Sequence, residues 1–186
     1  ALRVGSMARN YKTLWSTPVF AAHALLMALL FSGQLVFISS SSFVLVDDLG
    51  LSERLYGLSF GLVAFGIMVG ATISRRLAGT WSARRIVLTA TVVGGVMSTT
   101  MALIALAGAE GVLLIVLPMM IVAGVNGMSG PAARSSALVP FPQMAGLASA
   151  VMGFSQIGMA SAYSIGYNSL LSPGPVTMTS SIAVIT

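Results

Sequence analysis

Side chains able to do chemistry are scarce in this chain, and they are sorted. The 186 residues include no cysteine, one histidine and four carboxylates. Disulfides, thiolate metal sites and cysteine nucleophiles are therefore excluded. Asp47, Asp48, Glu53 and Glu110 all flank long apolar runs, and none sits inside one. His23, the chain's one histidine, lies within such a run. A histidine at depth can relay protons. This one closely follows Pro18, at the end of its run, where a partly hydrated interfacial histidine is the plainer reading. A nucleophile–base pair or a metal centre at depth needs partners this set does not offer. No metal, no cofactor and no enzymatic activity are expected.

The uncharged polar groups are more promising. Gln34 lies mid-run, with Phe31 and Phe37 on either side, and Asn126 lies in a later run. Met152, Gln156, Met159 and Tyr163 recur at helical spacing and share one face. A stripe of methionine and aromatic side chains around an amide can line an adaptable apolar pocket. It can equally pack on a neighbouring helix, with the amide bonding across. An amide inside hydrocarbon needs either such a partner or a wet cavity. Phe31, Gln34, Phe37, Asn126, Met152, Gln156 and Met159 are the candidate cavity residues.

The elements that position these groups are membrane helices. Only 7% of residues are charged and the mean hydropathy is +0.97, against about a quarter charged in a soluble domain. The net charge of +5 reflects arginine and lysine placement, not a nucleic-acid-binding stripe. Ser74 to Arg85 holds Arg75, Arg76, Arg84 and Arg85 between two apolar runs. Each arginine at the bilayer centre would cost roughly 2.5–3.5 kcal/mol, so this stretch must be a loop in water or among headgroups. The bias of basic residues makes it the inside loop.

That loop orients the rest. Residues 1–17 read as a cytoplasmic linker, followed by spans near 18–46, 55–73, 86–107, 112–128 and 144–171 and a partial span at 176–186. The end of the first span at Ser39–Ser42 has the composition to leave the membrane. Gly130–Gln143 reads as an inside connection, and Ser172–Pro175 as an outside turn. Arg3, Arg9, Lys12, the loop arginines and Arg134 then fall inside, and only Arg54 falls outside with the carboxylates. Spans one to three begin inside and spans four to six begin outside, a three-plus-three inverted arrangement with its last helix truncated. The chain lacks an initial Met and starts and stops abruptly, so it reads as a piece of a longer protein. Gly57 with Gly61 and Gly66 with Gly70 are spaced for close helix packing, on opposite faces of the second span.

Gly70–Arg76 with Trp81–Arg85 resembles the loop between the second and third helices of a major facilitator half. Phe37–Leu45, Tyr56–Gly61, Pro131–Ala133 and Pro140–Ala150 are similar to the bicyclomycin-resistance (Bcr/CflA) branch of drug–proton antiporters, in its second six helices. Ser42 stands where that family commonly has proline, and Ala132 where it commonly has asparagine. The resemblance implies a twelve-helix exporter of small amphipathic compounds in a bacterial inner membrane. Gly70 and the four loop arginines would form its cytoplasmic gating motif, and a second six-helix half would lie upstream with most of the proton-coupling residues. A facilitator for sugars or amino acids would call for more polar groups in the central helices. A non-transporting membrane scaffold is the remaining alternative.

Overall fold

The computed structural model describes residues 4–109, 111–172 and 174–186, with side chains from residue 9 onward. Arg3, Glu110 and Pro173, which entered the expected topology, lie outside the described residues. Among the described residues the regular structure is entirely helical.

The stretch expected as a linker carries a helix, α1 (Val4–Trp15), which packs on the start of α2 (Pro18–Ser42). Leu14 is fully buried there, and the Trp15 ring meets Phe20 edge-on at 5.9 Å. Pro18 occupies the first turn of α2, where its missing N–H breaks no helical bond. The Ser39–Ser42 end does not leave the bundle. Ser40 and Ser41 are buried, and the helix continues as a π-helical segment, Phe43–Asp48. Gly50, at a φ of +67°, then turns the chain in a left-handed conformation that suits glycine.

α3 (Glu53–Leu77) and α4 (Ala83–Leu106) both extend into the expected arginine loop. The true connection is only residues 78–82. Arg75 and Arg76 belong to the last turn of α3, and Arg84 and Arg85 to the first turn of α4. Basic side chains at a helix C-terminus are favoured by its partial negative charge. α4 ends at Leu106, and Gly108 just beyond it has a φ of +75°. α5 (Val112–Leu138) runs past the expected end near Met128 and carries Pro118 and Pro131 internally. Apolar helices tolerate proline when neighbours re-satisfy the freed carbonyls. The connection expected at Gly130–Gln143 thus shrinks to residues 139–141 and a short 3-10 turn, Pro142–Met144. α6 (Ala145–Leu170) and α7 (Pro175–Ile185) complete the chain.

Among the described residues, four segments are long and apolar enough to cross a membrane: Pro18–Asp48, α3, α4 and α5. α6 matches their length and carries Gln156, Asn168 and five serines. α4 also turns Val92, Val96, Leu103 and Leu106 outward, each about 60% exposed. An apolar face of that extent is not found on a protein surrounded by water. This is a membrane-embedded protein.

Apart from α4 and α5, consecutive helices are poor packing partners here. α3 lies against α5, α6 against α2, and α4 against both α5 and α7, while α2 also touches α5 and α7. α3 and α4 scarcely meet beyond their short connection. Glycine explains the α3–α5 contact. A Cβ at Gly66 would collide with the Met120 carbonyl, one at Gly70 with the Gly124 carbonyl, and one at Gly127 with the Ile67 carbonyl. The two backbones therefore touch along this stretch, as small residues permit in lipid. Gly57 and Gly61 face open space instead, so only half of the expected glycine pattern is a helix contact in this bundle. Among the described residues the core divides into a cluster at the acidic end around Phe37, Met119 and Met178, one at the arginine end around Phe20, Ile86 and Met152, and a small one of Leu30, Ala90 and Val125.

A matched pair of substitutions tests this seam. Gly70→Ala is expected to destabilise the bundle by about 1–3 kcal/mol through overpacking. Gly61→Ala, with free space around it, is expected to leave the thermal midpoint in detergent unchanged or slightly raised. Equal effects of the two would contradict the seam.

Candidate functional site

The best-placed polar pair joins α2 to α5. Gln34 lies halfway along the Pro18–Asp48 segment and is buried, and Asn126 lies halfway along α5. Asn126 Nδ2 donates to Gln34 Oε1 at 3.1 Å and to the Leu30 carbonyl at 3.3 Å. Asn126 thus bonds across to both the side chain and the backbone of α2. Gly33, beside Gln34, admits the end of α7. A Cβ there would stand 3.0 Å from Thr186 Oγ1. Two amides bonded to each other at mid-depth lower the cost of keeping polar groups in hydrocarbon. They also leave one NH2 group, Gln34 Nε2, with no bonding partner among the described residues.

A second polar contact bridges α5 and α6, which otherwise barely meet. Arg134 Nη2 donates to Gln156 Oε1 at 3.3 Å. Arg134 is exposed and sits inside α5, one turn before its end, not in a loop. Sequence reasoning singled out both residues but did not pair them. Nothing in a single sequence brings residue 134 to residue 156.

The remaining candidates separate. Phe37 is fully buried, stacked obliquely on Phe60 at 5.6 Å, and Phe60 in turn meets Tyr56 at 5.1 Å. Met152 is buried in the core at the arginine end, Met159 is exposed, and Phe31 is half-buried. Tyr163 bonds the Ser181 carbonyl of α7 at 2.9 Å. The methionine and aromatic residues of this α6 face therefore have different surroundings: Met152 the buried core, Met159 the exposed surface and Tyr163 the α7 backbone. Of the seven candidates, only Gln34 and Asn126 bond to each other, with Gln156 tied to Arg134.

The structure adds a hydroxyl cluster that the sequence did not single out as a site. Ser39 Oγ and Ser164 Oγ lie 2.9 Å apart, joining α2 to α6, with Asn168 Nδ2 donating to the Ser164 carbonyl at 2.8 Å. Ser41 Oγ and the Tyr56 hydroxyl lie 3.1 Å apart and join α2 to α3. A run of four serines at residues 39–42 was the only available signal. Nearby, the Tyr167 hydroxyl is buried without a hydrogen-bond partner among the described residues.

The gating-motif candidates fall into two kinds. Gly70 belongs to the glycine seam, two turns inside α3, and not to the connection. Arg75, Arg76, Arg84 and Arg85 are exposed at the arginine end. Arg85 lies over the Trp81 ring at 4.2 Å, and Ser82 Oγ caps α4 by accepting from the Arg85 N–H at 3.3 Å. The cation–π contact offsets the unfavourable placing of a cation at a helix N-terminus. No cluster of groups able to hold a metal ion occurs among the described residues. No protein-family model and no curated protein matches the chain.

The amide pair can be weighed by a double-mutant cycle of Gln34→Leu and Asn126→Leu, read by thermal unfolding in detergent. The expected coupling is about 0.6 kcal/mol, up to about 1.7. Zero coupling would mean the bond does not form. Tyr167→Phe removes an unpaired buried hydroxyl, so it is expected to raise or preserve the midpoint. A marked fall would reveal a hydroxyl partner.

Proposed function

We propose that the chain forms one six-helix bundle of a major-facilitator-type secondary transporter, which exports small amphipathic compounds from a bacterial cell in exchange for protons. The observation that carries this reading is the packing order. Exchange α2, α3 and α4 with α5, α6 and α7 respectively, and the principal packing pairs map onto one another. The α3–α5 pair becomes α6–α2, α4–α5 becomes α7–α2, and both α4–α7 and α2–α5 become themselves. Such self-mapping is what an inverted three-plus-three repeat produces, and repeats of this kind build secondary transporters around a midplane site.

Under this reading α2 and α5 are the paired central helices, and the Gln34–Asn126 contact marks the midplane. Gln34 Nε2 would meet a carbonyl or hydroxyl of the cargo, while the apolar surroundings favour an amphipathic body. Arg134, bonded only to a neutral amide, adds a cation on the arginine-end side of the same helix. Proton coupling requires a titratable group at depth, and the carboxylates of the described spans, Asp47, Asp48 and Glu53, stand at the span ends. A second bundle would supply that group, as well as the surface against which this bundle rocks.

The experiment is transport by the protein encoded by the complete reading frame. Cells expressing it are expected to accumulate less ethidium, with the difference abolished when the proton gradient is collapsed. Gln34→Ala and Asn126→Ala should each reduce efflux at unchanged membrane abundance. Ethidium accumulation equal to that of cells lacking the protein, with and without the gradient, would refute the export reading. A reading frame that adds no further apolar spans would remove the two-bundle arrangement.

A further inference from the structure

α1 divides its residues between two faces. At 100° per residue, Val4, Met7, Ala8, Tyr11, Leu14 and Trp15 fall within one arc of about 120°. Arg9, Asn10, Lys12 and Thr13 fall outside it, as do Gly5 and Ser6. The bundle uses only one edge of the apolar arc. Leu14 is fully buried and belongs to the core cluster at the arginine end, with Phe20 and Phe141. Tyr11 and Trp15, one turn apart on the same arc, stay 41% and 42% exposed. Thr17 has an extended backbone, so α2 does not simply continue α1. α1 is instead held against the start of α2, at the level where the Pro18–Asp48 span begins.

We infer that α1 lies in the plane of an anionic membrane surface, with Tyr11 and Trp15 at the boundary of headgroups and acyl chains. Three features select lipid as the partner of the exposed arc. First, the arc sits at the right depth. Leu14 fixes α1 beside the end of a span, where the bilayer itself passes from hydrocarbon to headgroups. Second, the exposed side chains suit that boundary. Tyrosine and tryptophan combine an apolar body with a polar tip and concentrate at membrane–water interfaces. Third, charge is complementary. Arg9 and Lys12 flank the arc, and no Asp or Glu precedes Asp47, so no acid on α1 or the start of α2 neutralises them. Lys12 borders the arc, so its stem can follow apolar surface while its ammonium reaches a lipid phosphate. A helix with one aromatic apolar face and one basic polar face lies in the interface and favours anionic lipid. The stretch before the first span is then a surface anchor that sets the depth of α2, and not a free tether. The inference rests on the membrane embedding of the spans and is independent of the transport reading.

The chain has no cysteine, so Arg9→Cys, Tyr11→Cys, Thr13→Cys and Trp15→Cys can each carry a single nitroxide label. The labelled proteins are reconstituted in phosphatidylcholine vesicles with a minor fraction of phosphatidylglycerol. Each label is read by its collisions with oxygen, which concentrates in hydrocarbon, and with a water-soluble nickel chelate. The ratio of oxygen to nickel collisions is expected to be severalfold higher for the labels replacing Tyr11 and Trp15 than for those replacing Arg9 and Thr13. With the label replacing Trp15, Tyr11→Asp should raise nickel collisions severalfold, whereas Tyr11→Phe and Thr13→Asp should leave them unchanged. Equal nickel access at all four positions would place α1 in water and overturn the inference. Labels replacing Tyr11 and Trp15 that are shielded from both reagents would mean that protein covers the arc, and would overturn the lipid assignment. So would nickel access at the Trp15 label that rises equally with Tyr11→Asp and Thr13→Asp.

Discussion

The close approach of α3 to α5 sets the arrangement of the bundle. Gly66, Gly70 and Gly127 offer no side chain at the crossing, and each faces a backbone carbonyl of the other helix. In lipid no hydrophobic force presses helices together, so direct backbone contact supplies much of the association. Because α3 is committed to α5, it leaves α4. Because α5 then holds α3 on one side and α4 on another, it becomes a central helix, and its midpoint, Asn126, meets the midpoint of α2.

The same commitment explains the polar contacts. Helices α2 and α5 cross with their amides in register, and the Asn126–Gln34 bond satisfies groups that hydrocarbon cannot. At the acidic end the Ser39–Ser164 and Ser41–Tyr56 contacts tie α2 to α6 and α3. At the arginine end an aromatic set of Trp15, Phe20 and Phe141 joins α1, α2 and the residue 139–141 connection. The charged groups were left at the ends of the helices, where water or headgroups meet them.

Much of this was legible in the sequence, for physical reasons. Helix positions follow from runs of apolar residues, and arginine clusters must lie near helix ends. Helix ends were less legible, because α3, α4 and α5 continue through polar residues that hydropathy assigns to loops. Pro131 appeared to end α5, yet the helix passes it. Gln34 and Asn126 stood out as isolated amides, but their mutual bond depends on which helices neighbour each other. Spacing alone could not separate Gly66 and Gly70, which carry the seam, from Gly57 and Gly61, which face open space. The α6 stripe does lie on one helix, but its members meet different surroundings, which spacing alone does not give.

Chain order and packing order disagree in this protein for every consecutive pair from α2 to α7 but α4 and α5, and the transporter reading rests on the form of that disagreement. Disulfide cross-linking in native membranes measures it directly, because the chain has no cysteine of its own. Cysteines placed in pairs along the helices should cross-link α3 to α5 and α2 to α6 over their lengths. Pairs on α3 and α4 away from their connection, and pairs on α6 and α7, should stay unlinked. Efficient linking of α3 to α4 and of α6 to α7, with none between α3 and α5, would describe a simple up-and-down bundle and contradict the account.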